Sequence, residues 1–325
     1  MRHKNSVVAV ALSLLILLSA TASNAKTICV TDALGRKVFV HEPVKRAVFL
    51  IGYELIPYLG IWNRVVGISL WAKTHDDFMN RIGSAWLKSV ASVGTATQIN
   101  FETLIKLNPD LVITWNYKPQ AVKLLETLGK KDGFSVITIS PEGLDSLFST
   151  LRMLGKVFEV EKRTDCIIKK MHYVFDTIRT TLAKLKNRRI HGIWLWDSIN
   201  RVAGSTGVVP DLMNIAGIIN CAASIKAPYP RVSLEQIVLW NPEIIFIWGN
   251  ANYGTKKILN DPRLSTLIAV KEKAVFKSPN WSTWSPRAAL VCLWMALKAY
   301  PNAFHKGFLT KMQRDFDSQI SYYKP

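Results

Sequence analysis

Cysteine is scarce in this chain and badly spaced for metal or redox work. Cys29, Cys166, Cys221 and Cys292 form no C-x-x-C pair, which excludes zinc-ribbon and thioredoxin-type chemistry. Cys221 and Cys292, both in the second half, are the one pair considered for a disulfide; burial as small hydrophobes explains them equally well. Catalytic signatures are missing too: there is no G-x-S-x-G, no H-E-x-x-H and no P-loop. The six histidines are scattered at 3, 41, 75, 172, 191 and 305. Only His75 falls where an open α/β sheet places its ligands, so a multi-histidine site for a bare metal ion is poorly supported. Acidic residues are outnumbered, 23 against 42 basic, for a net charge of +19. That field favours anionic small ligands or an anionic membrane surface, although a basic habit of the source proteome explains it as well.

The apolar run Val7–Leu18 follows Arg2 and Lys4 and leads to Ser23-Asn24-Ala25. Its length and flanks are those of a cleavable secretory signal over 1–25 rather than a membrane span, and Cys29 lacks the small-residue context of a lipobox. The expected mature chain is soluble and exported to the periplasm, where nucleic acid is an improbable partner. No second apolar run is long enough to anchor a sensor ectodomain.

What the chain does contain is a repeat. FETLIKLNPDLVITWNY at 101–117 recurs as LEQIVLWNPEIIFIWGN at 234–250, with Glu235 lying 133 positions after Glu102. Asn108-Pro109-Asp110 then overlies Asn241-Pro242-Glu243, and Trp115 overlies Trp248. Each copy reads as a short helix, a Pro stop, a buried parallel strand and an aromatic loop. Two copies so far apart predict two α/β lobes of similar build with a cleft between them.

Strands are expected at Ala47–Ile51, Val65–Ile68, Ser135–Ile139, Ile190–Leu195 and Ala274–Lys277, alternating with helices, after an N-terminal hairpin over 27–46. Residues 73–98 read as irregular. From Leu144 to about Lys186 there is no Pro, and Met171, Phe175, Ile178, Leu182 and Leu185 recur at helical spacing. This is expected to be one long helix. The resulting organisation is a first lobe over 27–155, a connecting helix over 156–187 and a second lobe over 188–325. Closing helices are expected at Arg287–Tyr300 and His305–Tyr322. The Gly204-Ser205-Thr206-Gly207 turn suits either an anion or a helix cap.

The strand ends carry aromatics. Trp71, Trp115, Trp196, Trp248, Trp281 and Trp284 follow strands or lie in the loops after them; Tyr53, Tyr117 and Tyr229 join them, with Arg231 and Arg287 as the nearest cations. Tyr53, Trp71, Trp115, Tyr229, Arg231, Trp248 and Trp281 are the candidate ligand-binding residues. Planar faces with a few Arg suit a large, flat, anionic ligand. No convergent acid/base pair for an exported enzyme such as a chelatase is visible.

Several short signatures resemble the substrate-binding proteins of ABC importers for iron–siderophores, haem and vitamin B12. They are Thr31-Asp32 with Gly35-Arg36, Val66-Gly67-Ile68-Ser69, Asn100-Phe101-Glu102 through Asn108-Pro109-Asp110, Asp261-Pro262-Arg263 and Ser285-Pro286-Arg287. The resemblance covers nearly the whole chain after the leader. It implies two Rossmann-like lobes with parallel sheets joined by one long helix, capture of a metal chelate in the cleft, delivery to a permease and no catalysis. It implies no cofactor beyond the chelated ligand, and a monomer. Aromatics of the vitamin B12-binding member match Trp71 and Tyr229, but its further contacts fall on Ala96, Pro279 and Thr283, which counts against B12. A haem-ligating Tyr is replaced by Thr95-Ala96-Thr97-Gln98, leaving Tyr53, Tyr117 or Tyr229. An iron–siderophore or similar anionic chelate is the expectation, with haem, a corrinoid, a nickel chelate or a small oxyanion as alternatives. Glu102 and Glu235, each in a first helical turn after the caps Asn100 and Ser233, are the expected permease contacts, as the resemblance also implies.

Overall fold

The structure, a computed structural model, describes residues 26–116, 118–185, 189–305 and 307–320. The expected leader over 1–25, Tyr117, Lys186 and the end of the expected His305–Tyr322 helix lie outside the described residues.

Two parallel sheets organise the chain. The first has five strands in the order Ala91–Ser92, Val65–Ile68, Ala47–Phe49, Leu111–Trp115 and Ser135–Ile139. The second has four, in the order Ile218–Asn220, Ile190–Leu195, Ile244–Ile247 and Val275–Lys277. The central strands are apolar on both faces because helices cover both. An antiparallel hairpin, Lys26–Thr31 with Lys37–Glu42, precedes the first sheet.

The repeat copies adopt one geometry. Asn108 and Asn241 each end a short helix with φ of 43°, and each precedes a Pro. Asn tolerates this left-handed backbone better than most side chains do. The acid after the Pro ties the copy to the next strand in its sheet. Asp110 accepts the N–H groups of Lys45 and Arg46 at 2.7 and 3.1 Å. Glu243 accepts that of His191 at 3.0 Å.

The helix expected over Leu144–Lys186 is two helices, Leu144–Val157 and Glu161–Ala183. Glu159 at φ 57° makes the break. The two segments then fold against each other. Gly155 permits the crossing: a Cβ there would lie 2.4 Å from Thr164 Oγ1. The second helix joins the lobes. Its buried stripe Ile167, Ile168, Met171, Val174, Phe175 and Ile178 packs against Leu55–Leu59 of the first lobe and Ala288–Ala299 of the second.

The stretch read as irregular contains a helix, Asp77–Ser89, capped by Asp76, which accepts the Met79 N–H at 2.8 Å. Phe78, Met79, Ile82, Trp86 and Leu87 form its buried stripe. Gly83 leaves helical geometry, and a Cβ there would meet Trp62 at 2.9 Å. The Gly and Ser residues that suggested a loop are the price of packing this helix against a tryptophan. All four cysteines are free. Cys292 belongs to the core shared by the lobes and Cys221 to the satellite core on the other face of the second sheet, so the pair considered for a disulfide is not joined. Among the described residues no helix is long and apolar enough to cross a membrane.

Candidate functional site

The carboxyl ends of both sheets face one cavity of about 340 Å³. Leu50 to Glu54 follow the first central strand, Ser69 and Trp71 the second, and Trp115 ends the third. Trp196 and the Trp248–Asn250 loop come from the second sheet, and Ser282, Thr283 and Trp284 from the loop after its last strand. Parallel strands all end on the same side, so two such sheets facing each other converge their loops on one cleft.

Two glycines shape these loops. Gly52 turns the chain at φ 69° just past the strand. Gly249 lets the Trp248 loop touch its neighbour: a Cβ there would lie 2.5 Å from the Pro279 carbonyl oxygen.

Trp196 is sandwiched, with Trp248 stacked on one side at 3.9 Å and Tyr229 on the other at 4.1 Å between centroids. Trp115 meets Trp284 edge-on at 5.2 Å across the lobes. Trp71, 38 % exposed, stacks on His75 at 4.1 Å. Five tryptophans and Tyr53 thus wall the cavity.

Of the sequence candidates, Tyr53, Trp71, Trp115 and Trp248 line the cavity. Tyr229 does not: it backs Trp196 from behind, and burial pushes its hydroxyl pKa well up. Arg231 is exposed and bonds Ser198 Oγ and Asn200 Oδ1, away from the cavity. Trp281 packs under the Arg287 guanidinium at 5.3 Å. Trp196 and Trp284, named among the strand-end aromatics, are cavity walls. The Gly204–Gly207 turn offers no anion nest: Gly204, Ser205 and Gly207 donate their N–H groups to Pro228, Ile225 and Glu142 carbonyls.

No sequence pattern pointed to the cavity floor. Glu54 and Asp76 line it, 5 % and 8 % exposed. Both are buried, and burial raises both pKa values, Glu54 strongly, with the neighbouring Asp76 charge adding to the rise at Glu54. Glu54 Oε2 also accepts the Ser285 hydroxyl at 2.7 Å. Behind them Arg287, 1 % exposed, lies over the Phe78 ring at 4.3 Å and pairs with Asp317. Among the described lining residues there is no Lys, Arg or His. No cluster of three or more His, Cys, Asp or Glu able to hold a metal ion occurs among the described residues.

Two facing parallel sheets, a linking helix and a cavity at their carboxyl ends define a two-lobed binding protein. Residues 47–280 match the periplasmic binding protein family, and the chain belongs to it. It is 27 % identical to the molybdate-binding protein MolA of Haemophilus influenzae over 91 % of this chain and 92 % of that one. A vitamin B12-binding protein of Vibrio cholerae is 23 % identical, over 67 % of this chain and 74 % of its own. Among solved structures, Helicobacter pylori CeuE with nickel(II) bound superposes with a TM-score of 0.80 at 28 % identity, covering 92 % and 97 % of the two chains. Molybdate-bound MolA superposes at 0.79 and 26 % identity, covering 92 % and 99 %. These relatives are binding proteins rather than enzymes, and such proteins bind small molecules and work with an ABC permease.

Proposed function

We propose that this protein captures a compact metal chelate in the interlobe cavity and hands it to an ABC permease from the periplasm, with residues 1–25 serving as its export signal. The cavity carries the reading. Its volume, about 340 Å³, is near the lower end of the ~300–1,000 Å³ usual for small-molecule sites. It is walled by flat aromatic faces and floored by carboxyls. A corrinoid exceeds such a space. The lack of a lining cation amends the expectation of an anionic siderophore complex, because desolvating a net negative charge beside Glu54 and Asp76 would be unfavourable. A neutral or cationic chelate fits better, and the nickel-bound CeuE relative is consistent with that.

A small oxyanion such as molybdate is the second reading. The hydroxyls of Ser69, Thr95, Thr97, Ser282 and Thr283 line the cavity as neutral donors, and MolA matches nearly end to end. Tryptophan fluorescence of the purified protein tests both. Titration with nickel–histidine, ferric siderophores and molybdate should show saturable quenching by a neutral or cationic chelate and none by molybdate. The converse result selects the oxyanion.

Docking to the permease is assigned to Glu102 and Glu235. Each follows a capped helix start: Asn100 accepts the Thr103 N–H at 3.0 Å, and Ser233 that of Gln236 at 3.1 Å. Both carboxylates are exposed, one on each lobe. A two-fold permease would offer each the same cationic pocket, fixing register more than adding affinity.

A further inference from the structure

We infer that the paired carboxyls of Glu54 and Asp76 receive a positively polarised N–H group of the ligand, a metal-coordinated amine or imidazole, and so select nitrogen-donor chelates against anionic ones. This rests on the chelate reading and specifies the ligand class for the same cavity.

Two buried carboxyls lining one desolvated floor resist ionising together, so the pair keeps a proton until a ligand offers positive charge. The charged and titratable groups around the pair are Tyr53, Tyr58 and Arg287, with Asp317 and Arg81 beyond Arg287. Tyr53 and Tyr58 are pushed to stay neutral by burial. Arg287 draws both pKa values down but burial outweighs it; its guanidinium is held between Phe78 and Trp281 and ion-paired to Asp317, which also faces Arg81 at 3.8 Å. Arg287 is not among the cavity-lining residues, so its charge steadies the floor without meeting the ligand.

The open side of the pair faces the tryptophan walls. Aromatic faces are electron-rich and attract positive charge. A donor N–H made acidic by its metal displaces that proton to solvent and forms charge-assisted bonds with the ionised pair. An anionic ligand meets π-faces above and acids below. A merely structural role is the competing explanation, since the Glu54–Ser285 bond crosses the lobes. That role involves no proton exchange with ligand and no charge preference.

The test is calorimetric titration of the purified full-length protein with nickel(II) and two equivalents of L-histidine, below neutral pH, in two buffers of different ionisation enthalpy. Release of up to one proton per chelate is expected. Glu54→Gln keeps an acceptor for Ser285, and Asp76→Asn keeps a cap for Met79. Each should weaken the chelate about ten- to hundredfold. No proton release together with unchanged chelate affinity in both variants overturns the inference alone. So does wild-type binding confined to anionic ferric chelates, which leaves the chelate reading standing. A wild type that responds to no metal chelate of any charge overturns both.

Discussion

The Ser285 hydroxyl donates a 2.7 Å hydrogen bond to Glu54 Oε2, joining the strand end of one lobe to the helix approach of the other. Both residues are buried. Together with the Asn280–Asp77 bond at 3.0 Å and the Trp115–Trp284 contact, it closes the back of the cavity. Ser285→Ala leaves a buried acceptor without its donor. A loss of roughly 1–3 kcal/mol is expected, read as a lower urea midpoint. An unchanged midpoint would show that the bond contributes nothing to closure.

Stability should fall as pH rises from about 5. Burial, reinforced by Asp76, raises the Glu54 pKa, and burial raises that of Asp76. A carboxyl with a raised folded pKa binds its proton more tightly in the fold than in the unfolded chain. Its stabilisation is full below the unfolded value, roughly 4, and is lost as pH climbs through the folded value. Asp261, held at about 2 by hydrogen bonds from Arg263, acts oppositely and only in acid. Urea midpoints between pH 5 and 8 should therefore decline in wild type and flatten in Glu54→Gln. Parallel slopes would contradict this origin.

Trp248→Ala removes a wall and unsupports Trp196. Chelate affinity should drop by about 1–2 kcal/mol, as for other desolvated aromatic contacts, and Trp71→Ala should do the same. Tyr229→Phe should leave affinity close to wild type, because its ring backs Trp196 and does not line the cavity. Fluorescence titration distinguishes these; a large loss in Tyr229→Phe would place its hydroxyl on the ligand.

Gly249→Ala drives a Cβ to 2.5 Å from the Pro279 carbonyl oxygen. Backbone cannot yield as a side chain does, so an overpacking cost of about 1–3 kcal/mol is expected, together with displacement of the Trp248 loop. Wild-type melting temperature and affinity would refute the contact.

The double variant Glu102→Gln with Glu235→Gln should keep its melting temperature and ligand affinity yet fail to stimulate ATP hydrolysis by the reconstituted permease. Normal stimulation at physiological salt would leave the carboxylates only their favourable interaction with the helix dipoles, worth a few tenths of a kcal/mol.

Local chemistry determined much of this protein without tertiary information. Apolar runs such as Leu111–Ile113 and Ile244–Ile247 require cover on both faces, so they announce parallel strands. The Asn-Pro-acid repeat announces the same helix stop in both lobes because Asn accepts the left-handed turn and Pro cannot continue the helix. Tryptophans placed just after strands announce a cleft, since strand ends are where ligands meet such sheets. Tertiary structure alone decided which aromatics see the cavity: Trp281 and Trp284 share one loop, yet Trp284 lines the cavity and Trp281 packs on Arg287. It also folded the Leu144–Ala183 segment back on itself, with the break at Glu159 and Gly155 admitting Thr164. It also brought Glu54 beside Asp76 and Ser285, residues far apart in the chain. Raised carboxyl pKa values depend on distance and on exclusion of water, and neither is written in the neighbours of a single residue.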